Sequence, residues 1–293
     1  MTGPRPPRRA GAALALVAAS LVLPGAGHGA RGDDEPVRLA YRFRAGEEVV
    51  MQVAHRAHSD TTINGVTQST ETATESKKRW RVVEVTPDGK ATIEHSVDDV
   101  TMSSRTSDQG EVRWSSGGEA PPPPGYEGVP GSLGRPLSRV VIDGAGRVLS
   151  RTQLFPSPES ATGDLMVVPL PDDPVEPGAE WTVPQELVVE VPGGPRRAVR
   201  TRLRYRLAGV RDDLATISVD TTVLTPVDDP RLEARLIERI WDGTIEFDVA
   251  TGRVVSRSTG IDRRVVGFSG EQSSVRYRSS LEERLVAGAD DRD

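Results

Sequence analysis

The chain has 293 residues, with 37 basic and 43 acidic side chains, a formal net charge of −6 and no cysteine. The missing thiol removes a lipid-modified N-terminal cysteine, a disulfide framework, thiolate metal ligands and a cysteine nucleophile together. Excess acid opposes nucleic-acid binding at long range, and the length suffices for one large core or two modest ones.

Arg5, Arg8 and Arg9 precede an apolar run of 14 residues, Ala10 to Leu23, and a small-residue stretch, Pro24 to Ala30. That order is a secretory signal peptide over residues 1–30. A helix that spans a bilayer needs roughly 20 apolar residues, so the run reads as a cleavable signal and not an anchor. Cleavage near Ala30 or Arg31 is expected to leave a soluble periplasmic or extracellular protein, not lipid-anchored, with no transmembrane segment. Without the three signal arginines the product carries 34 basic and 43 acidic residues, a net charge of −9.

Beyond residue 36 the apolar residues recur at period two between turn residues, the pattern of antiparallel β-sheet. Turn signals fall at Asn64-Gly65, Pro87-Asp88-Gly89, Asp108-Gln109-Gly110, Asp143-Gly144, Asp212-Asp213, Thr251-Gly252 and Ser269-Gly270. Residues 37–155 form a first β unit, with a proline-rich loop over 117–134 that contains Pro121 to Pro124. Residues 156–177 read as a linker, because proline at this density does not enter a central strand. Within it, Ser157-Pro158-Glu159-Ser160 suits the cap of a short helix.

A second β unit follows over 178–285, then an acidic tail over 286–293. Its clearest segment alternates Val199, Thr201, Leu203, Tyr205 and Leu207 with Arg200, Arg202, Arg204 and Arg206. One side of that strand should be buried, and the other should carry guanidinium groups about 7 Å apart, two rises of roughly 3.3 Å. Leu187, Val189 and Val191 alternate with Glu186 and Glu190 before the turn Pro192-Gly193-Gly194-Pro195, so the pair reads as a hairpin with carboxylates opposite guanidiniums. Arg231 to Ile240 fits both periods and is assigned as strand. The expected fold class is all-β with little helix: two tandem homologous antiparallel units forming a curved sheet or paired half-barrels.

Homology of the units rests on three matches in the same order. Gly146-Arg147-Val148-Leu149-Ser150-Arg151-Thr152 recurs as Gly252-Arg253-Val254-Val255-Ser256-Arg257-Ser258. Trp80-Arg81-Val82 with Ala91-Thr92-Ile93 recurs as Tyr205-Arg206-Leu207 with Ala215-Thr216-Ile217, and Gly46 to Val49 matches Gly178 to Trp181 more weakly. Ordered matches of this kind point to tandem duplication.

Sites of chemistry are sparse. His55 and His58 lie three apart on one strand and face opposite sides, which argues against a shared metal ion. His95 is the third histidine beyond the signal. Gly267-Phe268-Ser269-Gly270 is followed by Glu271 where a nucleophile elbow needs glycine, so a turn between strands explains it. Acid pairs stand at Asp98-Asp99, Asp172-Asp173, Asp212-Asp213 and Asp228-Asp229, the ordinary way to end a strand. No cofactor motif occurs.

Arg200, Arg202, Arg204 and Arg206 are the candidate ligand-binding residues, suited to a sulfated polymer, a phosphate-bearing head group or an acidic partner. Arg197, Arg276 and Arg278 are candidates to extend that patch. The segment Leu170-Pro171-Asp172-Asp173-Pro174 through Gly178-Ala179-Glu180-Trp181, with the opening Leu39-Ala-Tyr-Arg-Phe-Arg-Ala-Gly46, resembles uncharacterised secreted bacterial two-unit β-rich proteins. Their architecture is distantly similar to LolA-like lipoprotein-carrier folds, which implies an apolar cavity able to hold lipid; this chain departs from them in lacking clear helices. The expected function is non-catalytic binding of an apolar ligand or an anionic partner in the envelope. The alternatives are a secreted hydrolase with acidic catalytic residues and a structural envelope module.

Overall fold

The computed structural model describes residues 35–124, 126–155, 167–191 and 193–286. The expected signal peptide over 1–30, the expected helix cap at 157–160 and the tail from 287 onward lie outside them. The described residues form twelve strands in chain order: β1 (Glu48–Ile63), β2 (Val66–Val85), β3 (Ala91–Thr106), β4 (Gly110–Ser115), β5 (Ser138–Ile142), β6 (Val148–Gln153), β7 (Glu180–Glu190), β8 (Arg196–Arg211), β9 (Leu214–Val223), β10 (Asp242–Asp248), β11 (Arg253–Val266) and β12 (Ser273–Val286). Among the described residues two short helices, α1 (Val129–Ser132) and α2 (Pro230–Leu236), interrupt them.

All twelve strands join one curved antiparallel sheet that does not close into a barrel. The order is β6-β5-β3-β2-β1-β12-β11-β10-β9-β8-β7, and β4 pairs with the far part of β3. Each half is thus a meander, and the seam between them is β1 against β12, in register from Val50↔Val286 to Ile63↔Ser273. Of the two arrangements anticipated from sequence, the single sheet is the one formed.

Turn chemistry explains the hairpins. Asn64 and Gly65 take φ 50° and 82° between β1 and β2, and Asp212 and Asp213 take 49° and 60° between β8 and β9. Both central residues at positive φ match the right-handed twist of the flanking strands, and short polar side chains tolerate that region best.

The expectation of a strand over 231–240 is corrected: residues 230–236 are α2. Asp229 accepts a hydrogen bond from the Arg231 N–H, Pro230 occupies the first turn, and Leu232 and Leu236 bury one turn apart. These caps decide the competition that the apolar pattern left even. The proline-rich loop contains a single turn of helix, α1, none of whose residues is buried.

One face of the sheet carries the core, and it is called the inner face below. Over β8 to β11 it packs Leu203, Tyr205, Leu207, Ile217, Ile245 and Phe247 against Val37, Leu39, Tyr41, Val168 and Leu170. Over β1 to β5 it packs Met51, Trp80, Val82, Ile93, Val140 and Ile142, with Phe43 and Val167 alongside. A third cluster sets Leu187, Val189 and Val199 against α2.

The proline-rich stretch before β7 is therefore a core element on one side, since Val168 and Leu170 are 2% and 4% exposed. Its partner is the extended segment 37–43, bridged to it at Val37↔Val175. The Tyr41 N–H donates to Gly144 O at 2.8 Å and the Arg42 N–H to Gly252 O at 3.2 Å, so segment 37–43 is held by a turn from each half of the sheet.

Candidate functional site

The arginine strand folds as its alternation requires. Val199, Thr201, Leu203, Tyr205 and Leu207 are buried on the inner face, and Arg200, Arg202, Arg204 and Arg206 are exposed on the outer one. Register sets Glu190 opposite Arg196, Glu186 opposite Arg200 and Glu180 opposite Arg206, with Pro184 opposite Arg202. Arg204 pairs with Asp220 on β9 at 2.9 Å, which raises its pKa above the ordinary arginine value. Among the described residues, Arg200, Arg202 and Arg206 hold no ion pair through their side chains.

Arg276 and Arg278 stand on β12, separated from β8 by β11, β10 and β9, and so do not extend this patch. Neighbouring strands lie about 4.8 Å apart, which puts β12 roughly 19 Å away. Arg276 instead grips Asp262 through two hydrogen bonds of 2.9 and 2.6 Å, and Arg278 reaches Asp60 at 3.0 Å. Arg197 is exposed at the start of β8.

Arg278 belongs to a different feature of the outer face, a cleft of about 580 Å³ over β4, β3, β2, β1 and β12. Arg56, His58, Glu71, Arg105, Glu111 and Arg278 surround it, above Ala73, Ser103 and Ser280. The two ring nitrogens of His58 meet Glu71 Oε1 at 3.0 Å and Asp60 Oδ1 at 2.8 Å. The Ser69 hydroxyl and His58 together hold the Asp60 carboxyl below the usual carboxylate range, with help from Arg278. His55 lies on the opposite side of the strand, against Ser279 at 3.0 Å, as a two-residue repeat demands. His95 is buried with its ring tilted against Trp80, 5.3 Å between centroids.

The inner face holds a charged group that sequence reasoning missed. Glu283, 1% exposed, lies 3.9 Å from Lys78 Nζ and 3.4 Å from Arg257 Nη1. Glu283 faces Arg257 directly in register, while Lys78 reaches across β1 from β2. The available signal was a charge breaking the inner-face alternation of β12, between Leu281 and Leu285. Tyr205 on the same face has its hydroxyl pKa pushed up to about 12 by burial.

The acid pairs have structural work. Asp98 binds Arg79, Asp99 binds Lys77, Asp172 binds Arg147 and Asp229 caps α2. Gly267 to Gly270 form the turn between β11 and β12. Among the described residues no cluster of His, Asp and Glu is arranged to hold a metal ion, and no helix is long and apolar enough to cross a membrane.

No family model and no curated protein matches the chain. Among solved structures it is similar to lipovitellin, with 13% identity and a TM-score of 0.47 over 84% of this chain and 26% of that one, so it spans about a quarter of that protein. It is also similar to DynF from the dynemicin biosynthesis pathway of Micromonospora chersina, at 7% identity and TM-score 0.22, covering 90% and 95% of the two chains. A DUF1329 family protein from Desulfovibrio piger matches at 14% identity and TM-score 0.16, covering 84% and 88%.

Proposed function

We propose that this is an exported, non-catalytic binding protein whose outer arginine strand holds an anionic surface or polymer. The observation that carries the reading is the set Arg200, Arg202 and Arg206: exposed on one side of β8 and without ion pairs in a chain rich in acid. Guanidinium groups in a row give bidentate, charge-assisted hydrogen bonds to sulfate, phosphate or carboxylate. With net negative charge elsewhere, such binding is short-ranged and weakens with salt.

Chromatography of the exported protein on a sulfated-polysaccharide matrix tests it. The wild type should be retained at low salt, and the Arg202→Ser/Arg204→Ser variant should elute at clearly lower ionic strength. A wild type that flows through, or a variant retained equally, would overturn the reading.

A second reading, an apolar ligand such as a lipid on the inner face, draws on the aliphatic lining of that face. Over β8 to β11 the chain's own residues 37–41 and 168–170 already cover it, so a ligand would displace them or lie beside them. Solvent extraction of the purified protein followed by mass spectrometry distinguishes the two, since a stoichiometric lipid supports the second. Failure of both tests leaves a structural envelope module.

We also propose that residues 37–155 and 178–285 arose by tandem duplication. The matched turns support it: Gly146 follows β5 and Gly252 follows β10, at φ 75° and 66°, and both pack on segment 37–43.

A further inference from the structure

The outer cleft has an internal order that comes from strand register. One row of residues runs across six strands as Glu111, Arg105, Glu71, His58, Arg278 and Asp262, each directly opposite the next. The adjoining row, two residues along each strand on the same face, runs from Ser103 through Ala73 and Arg56 to Ser280 and Gly260. A wall of charge therefore stands beside a floor of small side chains. Only Arg56 rises from the middle of that floor, next to Ser280 and diagonal to Arg278.

We propose that this cleft binds a small organic anion, its carboxylate or phosphate seated between Arg56, Arg278 and the Ser280 hydroxyl. The rest of the ligand would lie along Ala73 and Ser103. Three observations carry this. The volume of about 580 Å³ falls within the span of small-molecule sites, roughly 300–1,000 Å³. Arg56, Arg105 and Arg278 outnumber Glu71 and Glu111 around it. The present partners of both arginines are solvent-accessible: Arg56 and Glu75 are 58% and 55% exposed, and Arg278 and Asp60 are 43% and 30% exposed. Accessible pairs of this kind contribute little to stability, so an incoming anion can replace them at small cost. The site is separate from the arginine strand β8 and does not rest on the function proposed for it.

Titration calorimetry on the exported protein tests the site, with glycerol 3-phosphate, succinate and inorganic phosphate as probes and glycerol as the neutral control. One of the anions should bind, and glycerol should not. Phosphate binding as tightly as glycerol 3-phosphate would overturn the proposal, since nothing would then lie along the floor; preference for succinate identifies a carboxylate. Two variants separate this cleft from diffuse surface attraction. Arg278→Gln should weaken binding at least tenfold, and Ala73→Leu, which fills the floor and leaves every charge in place, should do the same. Arg139→Gln, on β5 and outside both sites, should leave affinity unchanged. Unchanged circular dichroism establishes that each variant is folded, and a double variant Ala73→Val/Ser103→Val replaces Ala73→Leu if that one is not. No binding of any anion at millimolar concentration, or binding lost with Arg278→Gln but indifferent to a filled floor, would overturn the proposal.

Discussion

The two halves of the sheet hold the same segment by the same kind of turn, yet they build their cores differently. Gly146 in the first half and Gly252 in the second both take positive φ and both come close to residues 40–42. In the second half the core incorporates Val37, Leu39, Tyr41, Val168 and Leu170 from outside the strands. In the first half it relies on its own strands and on Leu281 and Leu285 of β12, with Phe43 and Val167 only partly buried against it. Equivalent turns thus leave unequal dependence on the buried segment, and the comparison can be broken or sharpened by substitution.

The largest effect is expected at the turns. A Cβ at Gly252 would lie 2.7 Å from both Ala40 O and Arg42 N, and one at Gly146 would lie 2.6 Å from Val168 O and Tyr41 Cε2. Left-handed strain of about 1–2 kcal/mol adds to an overpacking cost of about 1–3 kcal/mol. Gly252→Ala and Gly146→Ala should therefore each lose about 4 kcal/mol in urea unfolding, since the Tyr41 ring met at Gly146 is buried and hydrogen-bonded. A neutral result at either glycine would break the equivalence of the turns.

Leu39→Ala comes next, at about 2–4 kcal/mol, the usual loss for a fully buried leucine. Hydrogen exchange should show the loss of protection concentrated in β8 to β10; equal loosening of β2 and β3 would contradict the asymmetry. Tyr41→Phe is smaller. It removes the hydroxyl that donates to Val168 O at 3.3 Å and accepts from Val168 N–H at 2.6 Å, and it leaves that buried N–H without its acceptor. About 1–2 kcal/mol is expected by thermal unfolding.

The smallest effect concerns pH at the seam. The Ser69 hydroxyl and His58 lower the pKa of Asp60, so its contribution is full above the ordinary value near about 3.9 and is lost as pH falls through the folded value. Asp60→Asn should flatten the acid limb of stability below about pH 4. A limb as steep as that of the wild type would show that Asp60 is uncoupled from folding.

Much of this architecture was legible in sequence, and the reason is local. Alternation between Val199 and Leu207 specified which side chains turn inward, because successive Cβ atoms on a strand point to opposite faces. Asn64-Gly65 and Asp212-Asp213 marked hairpins through backbone conformations that few residues accept. The helix α2 was misread because Leu232, Ala234 and Leu236 satisfy both periods, and only the Asp229 cap separates them. The cleft was invisible for a different reason. Its members are spread from Arg56 to Ser280, unremarkable one by one, and they meet only through pairings across β1.

By itself the sequence determined that the chain makes strands, which face of each is apolar and where most of them reverse, since these follow from steric rules acting over a few residues. Tertiary structure alone decided that β1 pairs with β12, that residues 37–43 and 167–170 enter the core, and that Glu283 meets Lys78. Those outcomes depend on burying apolar area between segments more than a hundred residues apart, a free energy that no short window of sequence contains.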